Sequence, residues 1–386
     1  MSLPRFRPVA AGSPILAMAR KAAEHRAAGH EVIDLTLGEP DFAPPDHVIA
    51  AAHEALDTRR MGYTPVNGIP PLRAAIREHF ARERGLTFAD DEIAVGCGAK
   101  QVIFNAFLAS LEKGDEVVLP APYWASYPDM VRACGAVPVV VPTALETGFR
   151  LDPDVLAAAI TPKTRWVVIN APGNPSGAVY SASDLAALAE VIAGHPRILV
   201  LSDDIYAPIR FSDTPYASFA AVVPDLADRT LTIDGVSKAY AMTGWRVGWA
   251  GGPKDLVTAI NAVQSQNATQ TSSLSQIAAV AALTGPQDSL PVRAEIYRKR
   301  RDAALAVLAE SPHLSTAAPD GAFYLFPRIA GRHGDETAMA LLEATGVAVV
   351  PGSAFGGDDH LRLSFALDEA SLVEGCRRIV DFLERA

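Results

Sequence analysis

Thr230-Leu-Thr-Ile233-Asp234-Gly-Val-Ser237-Lys238 reads as a short β-strand that runs out into a polar turn carrying an amine. The same construction recurs twice upstream. Ile198-Leu-Val-Leu201 is followed by Ser202-Asp203-Asp204-Ile205-Tyr206, and Trp166-Val-Val-Ile169 by Asn170-Ala-Pro-Gly-Asn174-Pro-Ser-Gly177. Runs apolar on both faces are expected where helices cover both sides of a sheet. Further strand candidates at 117–119, 137–141 and 247–250 alternate with helical spacings such as Leu72, Ile76 and Phe80. This alternation predicts β-α units around a mainly parallel sheet, an α/β fold, over residues 47–285.

Beyond residue 285 the pattern changes. A helix is expected over 297–308, strand-like pieces at 322–326, 347–350 and 361–365, and then a closing helix. In that helix Asp368 is a candidate N-cap, and Leu372, Cys376, Ile379 and Leu383 form an apolar stripe. These features predict a second, smaller α/β domain. The first 45 or so residues lack a sheet pattern of their own and are expected to pack with it or on a partner subunit. The expected division is a large domain, 47–285, and a small one made of 1–46 and 286–386. A chain of 386 residues exceeds the roughly 250–300 residues at which a single core stops growing.

A hydrophobic fraction of 49% and a charged fraction of 20% are those of an ordinary globular protein. The net charge of −10 would repel phosphodiester backbones, so nucleic acid is not an expected partner. The N-terminal stretch scatters Arg5, Arg7, Arg20, Lys21 and Arg26 around its only apolar run, which Gly12 and Pro14 interrupt, unlike a secretory leader. No run approaches the ~18 apolar residues of a membrane span. Cys97, Cys134 and Cys376 are an odd number without metal-like spacing, so neither a disulfide framework nor a metal site is expected. The expected location is the cytosol.

Ligands of open α/β sheets collect at the carboxyl ends of the strands, which makes the three polar turns the place to look for chemistry. Lys238 lies between a strand and the weakly charged stretch 239–245, so its ammonium should be poorly solvated and its pKa lowered, leaving an amine able to attack a carbonyl. A lone loop lysine is ordinarily a solvated surface group; its neighbours distinguish this one. Asp203 at the end of an apolar strand needs a cationic partner if buried, and a protonated ring nitrogen would serve. Asn174 and Tyr206 could hydrogen-bond an oxygen on the same ring. Gly98, Ala99 and Lys100 open a helical pattern and would present free amides to an anion, with Arg246 and the Ser237 hydroxyl in support.

Together these segments resemble the class I/II aminotransferases of pyridoxal-5'-phosphate (PLP) fold type I, in particular the bacterial aspartate aminotransferase subgroup. The strongest match is Ser237-Lys238-Ala-Tyr-Ala-Met-Thr-Gly244-Trp245-Arg246-Val-Gly248. Others are Gly38-Glu-Pro-Asp-Phe42, Tyr63-Thr-Pro65 with Gly68, Pro122-Tyr-Trp124, Asn174-Pro-Ser-Gly177, Asp203 to Tyr206, and Arg362-Leu-Ser364. The resemblance implies a large domain with a mainly parallel, seven-stranded type of sheet. It further implies that Lys238 carries PLP as an imine, that Asp203 pairs with the pyridine nitrogen, and that Asn174 and Tyr206 contact the phenolic oxygen. Trp124 would stack on the ring, and Gly98, Ala99, Lys100, Ser237 and Arg246 would line the phosphate site. Tyr63 would come from the neighbouring subunit of a homodimer. Arg362 would grip the substrate α-carboxylate, assisted by Gly38, Asn174 and Trp124. Gly173, Asp204 and Ser176 depart from the commoner Asn, Glu and Thr without removing a group assigned to chemistry.

The implied reaction is a ping-pong transfer of an amino group from an L-amino acid to a 2-oxo acid, with aspartate or glutamate and 2-oxoglutarate as leading substrates. Aromatic or alanine-type donors, a C–S β-lyase, a cyclopropane-forming synthase and a decarboxylase would use many of the same residues. A nicotinamide-dependent oxidoreductase fits less well, because Gln101 stands where the third glycine of its fingerprint belongs. Ser110-Leu-Glu-Lys113 lacks the companion motifs of an acyl-transfer enzyme. A cofactor-sensing module would need an appended DNA-binding domain, which the sequence does not display.

Overall fold

The computed structural model describes residues 14–58, 61–212 and 215–385. The first 13 residues, which the sequence assigns to the small domain, lie outside the described residues. The chain begins with α1 (Pro14–Ala27), β1 (Ile33–Asp34), α2 (Asp46–Asp57) and α3 (Pro70–Arg84). Then come the strands of the central sheet: β2 (Ile93–Cys97), β3 (Glu116–Ala121), β4 (Val137–Pro142), β5 (Thr164–Asn170), β6 (Leu199–Asp203), β7 (Thr230–Gly235) and β8 (Val247–Gly251). Helix α4 (Ala99–Ser110) follows β2, and α5 (Ser126–Ala133) follows β3.

These seven strands lie in the order β2-β8-β7-β6-β5-β3-β4, with β8 antiparallel to both neighbours and the remaining pairs parallel. Their apolar residues are buried on both faces; Val167, Val200, Leu201, Leu231 and Ile233 are fully enclosed. The register matters more than the order. Asn170 lies opposite Asp203, and Asp203 opposite Ile233, so β5 and β6 finish level, β7 runs two residues further, and their turns open at the same end of the sheet. Asp203 is the last residue of its strand, two residues beyond the apolar run read from the sequence, because its backbone still pairs with β7.

Glycine lets β8 close on the start of α4. A Cβ on Gly248 of β8 would come 2.6 Å from the carbonyl carbon of Gly98, and Gly98 itself has φ +83°, a left-handed conformation that favours glycine. The first amides of α4 are thereby fixed beside the sheet.

From Ser289 onward the chain forms short strands and longer helices: β9 (Leu314–Ser315), β10 (Tyr324–Leu325), β11 (Arg328–Ile329), β12 (Val347–Ala348), β13 (Val350–Pro351) and β14 (Leu361–Ser364), with helices over Ser289–Leu308, Gly334–Thr345 and Glu369–Arg385. The run 347–350, a single strand by pattern, is split between two sheets: β12 pairs with β1, and β13 with β14. Asp368 accepts a hydrogen bond from the Ser371 amide at 2.9 Å and so caps the last helix. Met18, Ala22, Ile33 and Leu35 share a core with Tyr297, Phe323, Tyr324, Leu361, Leu372 and Ile379. That shared core carries the loop after β1, with Gly38, over the ends of β6 and β7.

Candidate active site

A cavity of about 380 Å³ opens where these parts meet. Of the residues expected at the site, Gly38, Ala99, Lys100, Trp124, Asn174, Asp203, Tyr206, Ser237, Lys238, Arg246 and Arg362 line it. Gly98 lies just behind, against the Arg246 guanidinium. Tyr63 is elsewhere: it is 92% exposed and does not line the cavity of its own chain.

Lys238 follows β7, and its Nζ donates to the Gly38 carbonyl at 2.5 Å while lying over the Tyr206 ring at 5.7 Å. Burial and then the nearby Arg362 push its pKa down to about 8, against the opposing pull of Glu39. A neutral amine is therefore accessible near physiological pH. Asp203 accepts from the Tyr127 hydroxyl at 2.6 Å on Oδ2 and from the Ile205 amide at 3.3 Å on Oδ1. Burial pushes its pKa up to about 7 despite these bonds, and among the described residues no cation pairs with it. A buried carboxylate in that condition calls for a cationic ligand.

Asn170 holds the next turn, donating from its side chain to the Asp203 carbonyl at 3.0 Å and accepting from the Asn174 amide at 3.1 Å. Asn174 in turn accepts from Arg362 Nη1 at 3.3 Å, and Arg362 Nη2 donates to the Thr36 carbonyl at 2.5 Å. The Arg362 guanidinium is fully buried between the rings of Tyr324 and Phe355, at 4.7 and 5.0 Å, and its Nε has no hydrogen-bond partner. Such a cation is ready for a carboxylate.

The opposite end of the cavity is basic. Arg246, itself at φ +56°, donates to the carbonyls of Thr243 and Cys97 at 2.8 and 3.2 Å. Lys100 Nζ lies 4.9 Å from the Trp124 ring centroid, and its pKa is lowered by lost solvation and by Arg246. The amides that open α4 complete an anion cradle.

Sequence reading missed several residues that complete the site. Tyr127 follows Trp124 by one helical turn, and the two rings meet edge to face at 5.2 Å. Tyr324, in β10, places its hydroxyl 2.8 Å from that of Tyr206. Glu39 accepts a hydrogen bond from Thr243 at the rim. The Trp124 to Tyr127 spacing was a usable signal; Tyr324 gave none beyond its strand pattern.

An amine of lowered basicity, an unpaired buried carboxylate, a flat aromatic wall and an anion cradle suit an aldehyde-bearing, protonatable aromatic ring with a phosphate. Fold and site together therefore define a PLP-dependent transferase of fold type I. The sequence profile described as aminotransferase class I and II matches residues 30–379. An aspartate/prephenate aminotransferase of Cereibacter sphaeroides is 47% identical, with 99% of this chain and 97% of that one covered. An aspartate aminotransferase of Rhizobium meliloti is also 47% identical, over 97% of this chain and 94% of that one. A crystal structure of the aspartate aminotransferase from Rhizobium meliloti superposes with a TM-score of 0.96 at 46% identity, both chains covered in full. The aspartate aminotransferase from Thermus thermophilus, solved with maleate, superposes with a TM-score of 0.94 at 40% identity, covering 98% of this chain and 100% of that one.

The chain belongs to the class I and II aminotransferase family. It is a PLP-dependent transaminase, which moves an amino group between an amino acid and a 2-oxo acid. Among the described residues no helix is long and apolar enough to cross a membrane, and no cluster of His, Cys, Asp or Glu suits a metal ion.

Proposed function

We propose that the enzyme exchanges the amino group of aspartate or glutamate with 2-oxoglutarate, as a cytoplasmic homodimer in which Tyr63 of each subunit reaches the neighbouring site. The substrate class is supported by the aspartate aminotransferases that the chain resembles over nearly its whole length. The aspartate/prephenate name of one relative adds prephenate as a second oxo acid to test. Full exposure of Tyr63, beside the exposed Met61, supports a partner surface there. We also retain the division into domains 47–285 and 1–46 plus 286–386, supported by a core of buried residues that unites 18–35 with 297–383 and takes only Ile205, Tyr206 and Ile209 from the large domain.

The single observation that carries the residue roles is the convergence of Lys238, Asp203 and Arg362 on one cavity. Lys238 would hold the cofactor covalently, Asp203 its ring nitrogen, Asn174 and Tyr206 its phenolic oxygen, and Trp124 its face. Ser237, Arg246, Lys100 and the amides around Gly98 and Ala99 would hold its phosphate. When bound, PLP supplies an electron sink for the charge that develops at the substrate Cα. Arg362 would fix the substrate carboxylate by a charge-assisted pair, with Gly38 and Asn174 beside it. That grip orients the Cα–H bond, and Lys238 would remove the proton at Cα and return one as general base and acid. The buried walls formed by Tyr324 and Phe355 exclude water from the Arg362 side.

Borohydride reduction of the holoenzyme followed by peptide mapping should place the cofactor on Lys238; a modification at another lysine would refute these roles. Measuring kcat/KM over a panel of amino donors and oxo acids, prephenate included, tests the substrates. A preference for neutral donors would refute the aspartate reading.

A further inference from the structure

Tyr324 touches both groups that the proposed mechanism treats separately. Its ring lies under the Arg362 guanidinium at 4.7 Å, and its hydroxyl is 2.8 Å from the hydroxyl of Tyr206. Its place is fixed from every side. The residue is fully buried in β10, where it pairs with Ser364 of β14, two residues beyond Arg362. A Cβ on Gly38 would approach its hydroxyl to 3.1 Å, so the bare backbone at position 38 leaves room for this phenol. Phe323 packs on its flank at 4.7 Å.

The contact between the two phenols carries one proton, and either oxygen can supply it. Burial pushes both groups up, so both hydroxyls keep their protons over the working pH range. An anionic oxygen in the cavity claims the Tyr206 proton, because a charged acceptor outcompetes a neutral one. The proton between the phenols must then come from Tyr324. Donation to the Tyr206 oxygen polarises that hydroxyl and strengthens its own donation into the cavity. The same side chain is also the floor on which the Arg362 guanidinium rests.

We propose that Tyr324 is a positioning residue with two separable parts: a hydroxyl that sets the hydrogen-bond donation of Tyr206 toward the cofactor, and a ring that supports Arg362 in place for the substrate carboxylate. The inference rests on the roles given above to Tyr206 and Arg362. It adds that one side chain, absent from the motifs that mark the family in this sequence, joins them.

Two variants separate the parts. Tyr324→Phe keeps the ring and removes the hydroxyl; Tyr324→Leu removes both. The first readout is the pH midpoint of the visible-absorbance transition of the cofactor-loaded protein. The second is the calorimetric affinity of the cofactor-free protein for succinate, an unreactive dicarboxylate. Tyr324→Phe should raise the midpoint by about half a unit or more, since weaker donation to the cofactor oxygen leaves the neighbouring nitrogen more basic, while succinate affinity stays within about twofold. Tyr324→Leu should in addition weaken succinate about tenfold, a typical loss when a buried cation–π contact is removed.

Tyr206→Phe and the double variant Tyr206→Phe/Tyr324→Phe complete a cycle. Once Tyr206 is Phe, the change at 324 should shift the midpoint no further. If Tyr206→Phe moves the midpoint and Tyr324→Phe does not, the hydroxyl part is wrong and the reading of the site stands. If Tyr206→Phe leaves the midpoint unmoved, both fail. Equal succinate affinity in Tyr324→Phe and Tyr324→Leu would overturn the ring part. The Phe variant, a loss of one oxygen, keeps the hydroxyl test valid even if the Leu variant does not fold.

Discussion

Tyr127 donates its phenolic hydrogen to Asp203 Oδ2 at 2.6 Å, with both side chains buried. The donor comes from the first turn of α5 and the acceptor from the last residue of β6, so one bond ties a helix to the end of the central sheet. It fixes one carboxylate oxygen and leaves the orientation of the other determined. The bond also opposes the burial that raises the Asp203 pKa.

Tyr127→Phe should therefore raise the Asp203 pKa further above its value of about 7. The carboxyl band in infrared difference titration of the cofactor-free protein, with Asp203→Asn as the blank, measures it. Turnover should fall by about ten- to a hundredfold, the worth of one hydrogen bond to a charged group. An unmoved carboxyl titration would show that the bond positions nothing.

Asp203 makes the cofactor-free protein less stable as pH rises. Below its ordinary pKa of 3.8 the carboxyl is protonated folded or unfolded; between there and about 7 only the folded state keeps the proton. Stability is thus lost across that window, and the penalty is complete above it. Asp203→Asn should remove it, giving a variant more stable than the parent at pH 8 by at most about 4 kcal/mol and equal to it near pH 3. Urea unfolding at several pH values checks this. In the loaded enzyme the same change should cut turnover by on the order of a hundredfold or more, because a neutral amide cannot hold a ring nitrogen protonated.

Lys238→Ala should lower turnover by about 10⁴-fold or more while leaving the fold intact. In the parent, the rate of covalent cofactor capture by the cofactor-free protein should rise with pH through a midpoint near 8, since the buried ammonium is neutralised well below its ordinary 10.5. Stopped-flow absorbance gives that profile. A rate still climbing at pH 10 would mean the amine is as basic as a surface lysine.

Arg84→Met should be costly for a different reason. Arg84 Nη2 donates to Asp234 at 2.7 Å, Asp204 lies 3.9 Å from its Nε, and all three side chains are buried behind the site. Burial acts to raise Asp234, but Arg84 and the His79 hydrogen bond overcome it and hold the carboxyl below its usual range. Removing the cation should destabilise the protein by about 3–5 kcal/mol at pH 7. Because a depressed carboxylate lends stability only while ionised, the deficit should narrow as pH falls below about 4. Denaturant midpoints for parent and variant at pH 7 and pH 3 test both statements.

Much of this enzyme was legible in one dimension. The apolar runs ending in 170, 203 and 234–238 announced a sheet with chemistry at its carboxyl edge, because a strand buried on both faces can spend polar residues only at its ends. Lys238 and Asp203 stood out because charged groups beside such runs are expensive unless used; Arg362 came forward only through the resemblance of its motif to the family. The cluster of Arg84, Asp204, Asp234 and His79 did not stand out. Its members come from a helix and two strand ends, and only packing brings them within ion-pair reach.

Local pattern by itself determined the α/β class and the order of the units and brought Lys238 and Asp203 forward as candidates, since these depend on periodicity and side-chain chemistry within a few residues. Tertiary structure alone decided that Tyr127 would restrain Asp203, that Gly38 would offer its carbonyl to Lys238, and that Tyr324 would lie between Tyr206 and Arg362. Those contacts join residues separated by 76, 200 and 118 positions along the chain. They arise from strand register and from the packing of the N-terminal segment on the C-terminal core, which no local pattern encodes.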